Sequence, residues 1–195
     1  MIPPTAIAAT LDELMGTEGN AARRYFSVFG YLVSGQSDLP PLTGRTRRPP
    51  TDPLNALLSF SYGLLRGLVH GAAETVGLDP YLGFLHGLRP GKPALVLDLM
   101  EEFRAPLADR FILSLVNRRQ VTSSDFDTLP GGAVRLSEGG RKTVLTAWQD
   151  WRSQDREHAL LGRTISHGLL PVVQARLLAR HLRGELPGYI PWTAR

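Results

Sequence analysis

The sequence predicts an all-α domain with one small β-hairpin, and two observations indicate this fold class. Apolar residues recur at helical spacing along most of the 195-residue chain. Only residues 121–136 show a strand-like pattern around a glycine turn, which predicts the hairpin. The apolar share of 43% is enough to fill a sizeable core. We therefore predict one multi-helix domain over residues 1–195.

The first part of the chain is predicted to hold three helices and a loop. One helix is expected from Thr5 to Met15, and a second from about Thr17 through Phe26. Residues 34–51 are rich in proline and arginine and lack periodicity, so we predict a flexible basic loop. Asp52-Pro53 has the residue types of an N-cap and a first helical position. It begins a third helix, whose apolar stripe should end near Gly77.

The remaining elements follow from the apolar pattern and from proline. Asp79-Pro80 predicts the start of a short helix. An apolar residue at every fourth position from Leu95 to Leu115 predicts a long helix that is kinked or divided at Pro106. Further helices are predicted from about Ser137 to Arg152 and from about Arg163 to Arg183. The tail, residues 185–195, is expected to be irregular but docked.

Composition favours an anionic partner and excludes cysteine chemistry. The net charge is +4, and all 22 basic residues except Lys92 and Lys142 are arginine. The arginine fork matches phosphate oxygens, which suits nucleic acid, although codon drift in a GC-rich genome explains the same bias. Without cysteine the chain has no disulfide, thiol nucleophile or cysteine-ligated zinc. It also lacks a secretory signal and a membrane-length apolar run, so we expect a cytoplasmic protein with no membrane partner.

Four polar residues are candidates for a metal site because their surroundings are apolar or glycine-rich: Glu18, His86, Asp98 and Glu101. Asp98 and Glu101 are three positions apart and share one helix face, where a cation would relieve their mutual repulsion. An imidazole with carboxylates suits Mg²⁺ or Mn²⁺. Ordinary structural roles remain open, since a histidine can be a hydrogen-bonded helix-end residue and the acids can be solvated or first-turn residues.

A series of distinctive motifs occurs in order along the chain. Examples are Gly-Thr-Glu-Gly-x-Ala-Ala-x-x-Tyr-Phe, Asp-Pro-x-Asn-x-x-Leu-x-x-x-Tyr and Leu-Asp-Leu-Met-Glu-Glu-Phe-Arg. The motifs occupy Gly16–Phe26, Asp52–Tyr62, Gly77–His86, Leu97–Arg104, Gly139–Lys142, Gln174–Arg180 and Tyr189–Trp192. From about Leu11 to Arg195 the series resembles the catalytic C-terminal domain of the CRISPR adaptation integrase, the first-numbered Cas protein.

The resemblance implies a metal site and its cofactor. The family's metal ligands fall on Glu18, His86 and Glu101, with Asp98 as an accessory catalytic acid, and the cofactor is Mg²⁺ or Mn²⁺. Glu102 points about 100° away from Glu101 on an ideal helix, so we interpret it as a surface acid or salt-bridge partner.

The resemblance also implies a set of DNA-binding residues: Arg104, Tyr62, Asn55, Arg23, Arg24, Arg176 and Arg180. Three alternatives stay open. Arg104 can form an ion pair with Glu101 at spacing i,i+3. Tyr62 lies on a leucine stripe and can belong to the core. Arg176 and Arg180, with Arg183, can form a solvated helix face rather than a track for the DNA backbone.

The function implied is metal-dependent DNA cleavage and integration in spacer acquisition. Prespacer 3′-hydroxyl ends would enter the CRISPR repeat by transesterification, and branched DNA would be cleaved. The expected partners are DNA, the second-numbered Cas protein and, in a full-length form, a second copy of the chain. The alternative is a non-catalytic scaffold fragment of the adaptation complex. Because almost nothing precedes the first motif, we expect the family's N-terminal β-domain to be absent from this sequence.

Overall fold

The computed structural model describes residues 10–87 and 89–194 of the chain. Helices dominate, and the described strands form two separate two-stranded antiparallel sheets. The helices are α1 Leu11–Phe29, α2 Pro53–Thr75, α3 Ala94–Phe103, α4 Arg110–Asn117, α5 Glu138–Ser153 and α6 Leu170–Leu182. The strands are β1 Phe126–Thr128, β2 Val134–Leu136, β3 Asp155–His158 and β4 Arg163–Ser166. The predicted all-α fold class is confirmed.

The first helix is continuous where two were predicted. Thr10 begins α1 with a capping box, in which its hydroxyl accepts from the backbone of Glu13 at 3.2 Å. Gly16 lies between the two predicted helices, but a glycine costs a helix only about 1 kcal/mol. The burial of Phe26 and Phe29 offsets that cost. The part of the predicted Thr5–Met15 helix before Thr10 lies outside the described residues.

The basic loop, residues 34–51, is irregular as predicted, and its flexibility stays a prediction. Leu39 and Leu42 are buried and join the hydrophobic cluster formed by α1, α2, α4 and α5. After the loop, the Asp52 carboxylate accepts from the backbone N–H of Asn55 at 2.8 Å and caps α2. Helix α2 ends close to Gly77, which has a positive φ of 80°. The predicted start and end of this helix are confirmed.

The helix predicted at Asp79-Pro80 is wrong, because residues 79–87 form turns. The Asp79 side chain accepts from the backbone of Tyr81, which closes a local turn instead of capping a helix. This segment lies against α3 so closely that a Cβ on Gly83 would meet Ala94 and Asp98 at 2.7 Å. The close approach brings the segment carrying His86 onto the acidic face of α3.

A π-helical turn, Arg104–Asp109, joins α3 to α4 and contains Pro106. The division predicted at the proline is therefore present as a π-helical turn between two helices. Such a turn accommodates the missing N–H of proline while the helical path continues. A second hydrophobic cluster packs α2, α3 and α6 together with Trp192 of the tail. Trp192 stacks on Phe103 with 5.9 Å between ring centroids, so the docked tail is confirmed.

One hairpin was predicted and two are present among the described residues. Strands β1 and β2 pair Phe126 with Leu136, within the predicted stretch. Strands β3 and β4 form the second hairpin, where Arg163 was predicted to begin a helix. Its strands are mostly polar and exposed, so they lack the alternation that indicates a half-buried strand. No helix within the described part of the chain has the length and hydropathy that crossing a membrane requires.

Candidate active site

A cationic cleft of about 520 Å³ opens between α1, α2, α3 and the basic loop. Its wall includes Glu18, Glu101 and Asp109 as acids, and Tyr25 and Tyr62 as aromatic residues. Arginines outnumber these acids, and they are Arg45, Arg47, Arg48, Arg66 and Arg104. The excess positive charge suits a polyanion, while the acids provide oxygen ligands beside it.

Glu101 lies on α3 at the centre of the predicted metal ligands. Burial raises the pKa of this half-buried carboxyl, and Arg104 opposes that shift. The charges of Glu18 and His86 also act on Glu101, the first raising and the second lowering its pKa. Glu18 and Glu101 line the same cleft, whereas His86 is outside its lining and is hydrogen-bonded to Asp98, one helical turn before Glu101. The Glu101 carboxylate pairs with the Arg104 guanidinium at 2.8 Å, so the ion-pair alternative for Arg104 is present in the structure.

Asp98 holds the His86 segment in place. Its carboxylate accepts from the backbone N–H groups of Phe84, Leu85 and His86 at 2.5, 3.0 and 3.0 Å. It also accepts from His86 Nδ1 at 2.6 Å. A carboxylate that receives Nδ1–H fixes the tautomer in which Nε2 carries the lone pair, which is how metal-binding imidazoles are oriented. Asp98 is thus a positioning residue for His86.

Replacing Asp98 by alanine should loosen this segment. Four donors would lose their acceptor, so we expect the free energy of unfolding to fall by about 2–4 kcal/mol. Loss of the imidazole's orientation should weaken Mn²⁺ binding by about 10–100-fold. Chemical denaturation and calorimetric titration with Mn²⁺ measure the two effects. The exposed Asp150→Ala on α5 is the matched control and should change neither; equal behaviour of the two variants would contradict the assignment.

The predicted ligands are near one another but not assembled. Within residues 10–87 and 89–194 no group of three or more histidine or acidic side chains is arranged to hold a metal ion. The donor types nevertheless fit Mg²⁺ or Mn²⁺, because the set comprises an oriented imidazole and two carboxylates. Arg104 already neutralises Glu101 in this conformation. A cation at this place would therefore compete with the guanidinium.

Tyr62 and Tyr25 both line the cleft, and one carboxylate accepts hydrogen bonds from both of them. Both hydroxyls donate to the buried carboxylate of Asp109 at 2.8 Å. Burial raises the pKa of Asp109 and of both tyrosines, so the phenols stay protonated donors. The Tyr62 ring lies against two guanidinium groups, those of Arg45 and Arg104. Tyr62 therefore lines the cleft, as a DNA-binding residue would, and is also partly buried, as its position on the leucine stripe allows.

Asn55 requires a correction, because its side chain has no exposed surface. Its Nδ2 donates to Gly44 and to Asp52, and its Oδ1 accepts from Arg45 and from the backbone of Thr46. Every amide group of this side chain is therefore used inside the protein. Asn55 shapes the basic loop, and we no longer assign it a direct contact with DNA.

Glu102 is the second correction, since it is not exposed and forms no salt bridge with any residue that the structure describes. Its carboxylate accepts from the Tyr189 hydroxyl at 2.5 Å, the Trp192 backbone N–H at 2.7 Å and Gln174 Nε2 at 2.9 Å. Burial raises the pKa of Glu102, and these hydrogen bonds oppose the shift. Glu102 anchors the tail to α3. No pattern in the sequence distinguished this acid from its neighbour Glu101.

The other predicted DNA-binding arginines lie outside the cleft wall. Arg23 and Arg24 are exposed on α1, and Arg176 and Arg180 are exposed on α6. Arg180 pairs with Glu185 at 3.0 Å, as a solvated helix face would. Their contacts with DNA stay predictions. Sequence reasoning missed Arg45 and Asp109, although the many arginines of the basic loop were a signal for the former.

Fold and cleft together define a helical domain with a cationic, acid-containing cleft. The family model described as "CRISPR associated protein Cas1" matches residues 3–150. The chain belongs to this Cas1 family, as the motif series indicated.

Curated relatives have the same family name. A CRISPR-associated endonuclease Cas1 of Rhodospirillum rubrum is 54% identical over 187 residues, which are 96% of this chain and 54% of that protein. A CRISPR-associated endonuclease Cas1 of Leptospira interrogans is 44% identical over 185 residues, covering 95% of this chain and 72% of that protein. The chain thus spans about half the length of the Rhodospirillum rubrum relative.

Two solved structures are similar in fold. A CAS1 protein from Thermotoga maritima has a TM-score of 0.81 at 33% identity, covering 92% of this chain and 56% of that one. A casposase bound to its integration product has a TM-score of 0.81 at 27% identity, covering 92% of this chain and 50% of that one. The helical architecture described above is therefore the Cas1 architecture.

Proposed function

We propose that this chain is the catalytic part of a divalent-metal-dependent DNA endonuclease and integrase that acts in CRISPR spacer acquisition. The observation that carries the proposal is the cleft, where Glu18 and Glu101 lie among arginines, while Asp98 holds His86 against the same helix as Glu101. Such a site can receive a phosphodiester and a cation together. The relatives named as endonucleases and the casposase bound to an integration product support the same reaction class.

The proposed substrates are prespacer DNA with free 3′-hydroxyl ends, the CRISPR repeat and branched DNA. In the reaction a 3′-oxygen bonds to a phosphorus of the repeat strand, and the bond from that phosphorus to its own 3′-oxygen breaks. The attacking oxygen loses a proton and the leaving oxygen gains one, so no oxidant or nucleophilic side chain is required. Water in place of the 3′-hydroxyl gives cleavage.

Glu18, His86 and Glu101 would hold Mg²⁺ or Mn²⁺, which supplies Lewis-acid stabilisation of the charge that develops on the phosphate. Asp98 keeps His86 in the tautomer that presents Nε2. Arg104 compensates Glu101 in the free protein and, when released from it, can contact a phosphate oxygen. Tyr62 provides a ring surface, fixed by Asp109, at the floor of the cleft.

The proposed partners are a second copy of the longer protein and the Cas2 protein. Solved complexes titled Cas6-RT-Cas1–Cas2 include a chain with a TM-score of 0.77 and 26% identity to this one, which covers 95% of this chain and 20% of that one. A second candidate function is a DNA-binding scaffold without turnover. The unassembled ligands and the Glu101–Arg104 pair favour this alternative for the isolated chain.

Metal removal and return test the proposal. We expect the chain to cleave branched DNA with Mn²⁺, to lose that activity in EDTA and to regain it when excess Mn²⁺ is added. Glu18→Gln should remove the activity because it deletes a charged oxygen ligand. The exposed Glu138→Gln on α5 should retain it. DNA binding with a steep salt dependence but no metal-dependent turnover would favour the scaffold instead.

A further inference from the structure

Arg45 is a half-buried arginine whose described partners are all uncharged. Its Nη1 donates to the Thr46 carbonyl at 2.5 Å and to Asn55 Oδ1 at 2.7 Å, and its Nη2 donates to Ser59 Oγ at 3.1 Å. No carboxylate among residues 10–87 and 89–194 forms an ion pair with it. The guanidinium is thus held rigidly while its charge is left without a bonded counter-ion.

The free donors of Arg45 lie on one edge of its guanidinium. A guanidinium has five N–H donors, and the recorded hydrogen bonds engage both on Nη1 and one on Nη2. The Nε–H and one Nη2–H therefore have no recorded partner among the described residues, and Nε is buried. In a guanidinium, Nε and Nη2 share one edge. Paired donors on one edge are the fork that binds phosphate oxygens bidentately.

A second guanidinium lies against the same aromatic ring. The Cζ atoms of Arg45 and Arg104 lie 5.5 and 5.6 Å from the Tyr62 ring centroid. Arg104 Nε is also buried and has no hydrogen-bond partner in the described structure. Both arginines and Tyr62 line the cleft that contains Glu101. Burial lowers the pKa of Arg45, with a further contribution from the charge of Arg47. An anion in the cleft would compensate this concentration of positive charge.

We propose that Arg45 is a phosphodiester-binding residue of the cleft, which holds a DNA phosphate beside Tyr62 and Glu101 together with Arg104. Asn55 and Ser59 are its positioning residues, since they fix the plane of the guanidinium. This inference rests on the proposed function for the identity of the anion, and it adds a binding residue that the motifs did not indicate. It also gives the buried Asn55 a role in DNA binding through Arg45.

Salt-dependent DNA binding tests the inference. We would measure the affinity of a short branched DNA by fluorescence anisotropy in EDTA over a range of salt concentrations. Arg45→Gln should weaken binding by about tenfold and reduce the slope of log K against log salt by about 0.9, because one phosphate contact is lost. Arg45→Lys should keep the slope and weaken binding by about fivefold, because the charge remains but the fork is lost.

Two further variants make the result decisive. The exposed Arg141→Gln on α5 is the matched control and should retain more of the native affinity and slope than Arg45→Gln does. Ser59→Ala removes only one anchor of Arg45; it should weaken binding with an unchanged slope, and it decides the matter if Arg45→Gln does not fold. The inference is overturned if folded Arg45→Gln binds DNA as the unmodified chain does, or if the unmodified chain does not bind DNA. If Arg45→Gln is unfolded, native binding by Ser59→Ala overturns it.

The proposed function fails separately from this inference. If the unmodified chain binds DNA through Arg45 but shows no Mn²⁺-dependent cleavage, the phosphate site stands and the enzymatic proposal does not. If Mn²⁺-dependent cleavage is present while Arg45→Gln binds DNA as the unmodified chain does, the enzymatic proposal stands and the phosphate site at Arg45 does not.

Discussion

Replacing His86 by alanine should lower Mn²⁺-dependent cleavage of branched DNA by at least about 100-fold. His86 supplies the nitrogen of the proposed ligand set, and Asp98 already orients its imidazole at 2.6 Å. Removal leaves two carboxylates, Glu18 and Glu101, of which the second is paired with Arg104. A cation would then gain too little to displace the guanidinium. Calorimetric titration with Mn²⁺ should show the same loss without DNA.

His70→Ala is the matched control for this experiment. His70 lies on α2, where its imidazole is 3.3 Å from Glu74 and next to the Tyr81 ring, rather than hydrogen-bonded to Asp98 as His86 is. We expect its Mn²⁺ affinity and cleavage rate to match those of the unmodified chain. Circular dichroism should show the same helical content for both variants. Undiminished Mn²⁺ binding by a folded His86→Ala protein would remove His86 from the ligand set.

Elements with strong local signals could be predicted from the sequence. Helix α2 was predicted at both ends because Asp52-Pro53 and Gly77 act through local backbone chemistry. The division at Pro106 and the first hairpin were predicted for the same reason. The second hairpin was missed because its strands are mostly polar and exposed, so no apolar alternation marked it. Its stability depends on partners that periodicity does not reveal.

The candidate site was predictable only where the residue type limits the chemistry. Glu18, His86 and Glu101 were identified by motif; Glu18 and Glu101 line one cleft and His86 contacts Asp98, but the three do not form a ligand shell in this structure. Asn55 was assigned to DNA binding by resemblance, and Glu102 was placed at the surface from its angle to Glu101 on an ideal helix; both side chains are instead enclosed by protein partners. In the fold each is surrounded by donors or acceptors from segments far away in the sequence. Burial of a polar side chain depends on those distant partners, which a local pattern cannot supply.

Such distant partners explain why Glu102 should be among the residues most important for stability. Glu102→Ala leaves the Tyr189 hydroxyl and the Trp192 backbone N–H without their acceptor and removes one of three acceptors of Gln174 Nε2. Each buried donor left unpaired costs about 1–3 kcal/mol, so the free energy of unfolding should fall by about 2–4 kcal/mol. Chemical denaturation measures this loss, and hydrogen exchange should show faster exchange in residues 185–194.

Glu185→Ala is the matched control, because Glu185 is also an acid of this region but is exposed. Its pairs with Arg180 and Arg183 are at the surface, where ion pairs contribute little to stability, so this variant should stay close to the unmodified chain. Slow exchange of the tail in Glu102→Ala would mean that the stacking of Trp192 on Phe103 holds the tail by itself. Faster exchange of the tail would mean that the Glu102 carboxylate fixes the tail to α3, at the position next to Glu101. Adjacent residues of α3 would then have separate roles, because Glu102 would stabilise the tail and Glu101 would be the candidate metal ligand.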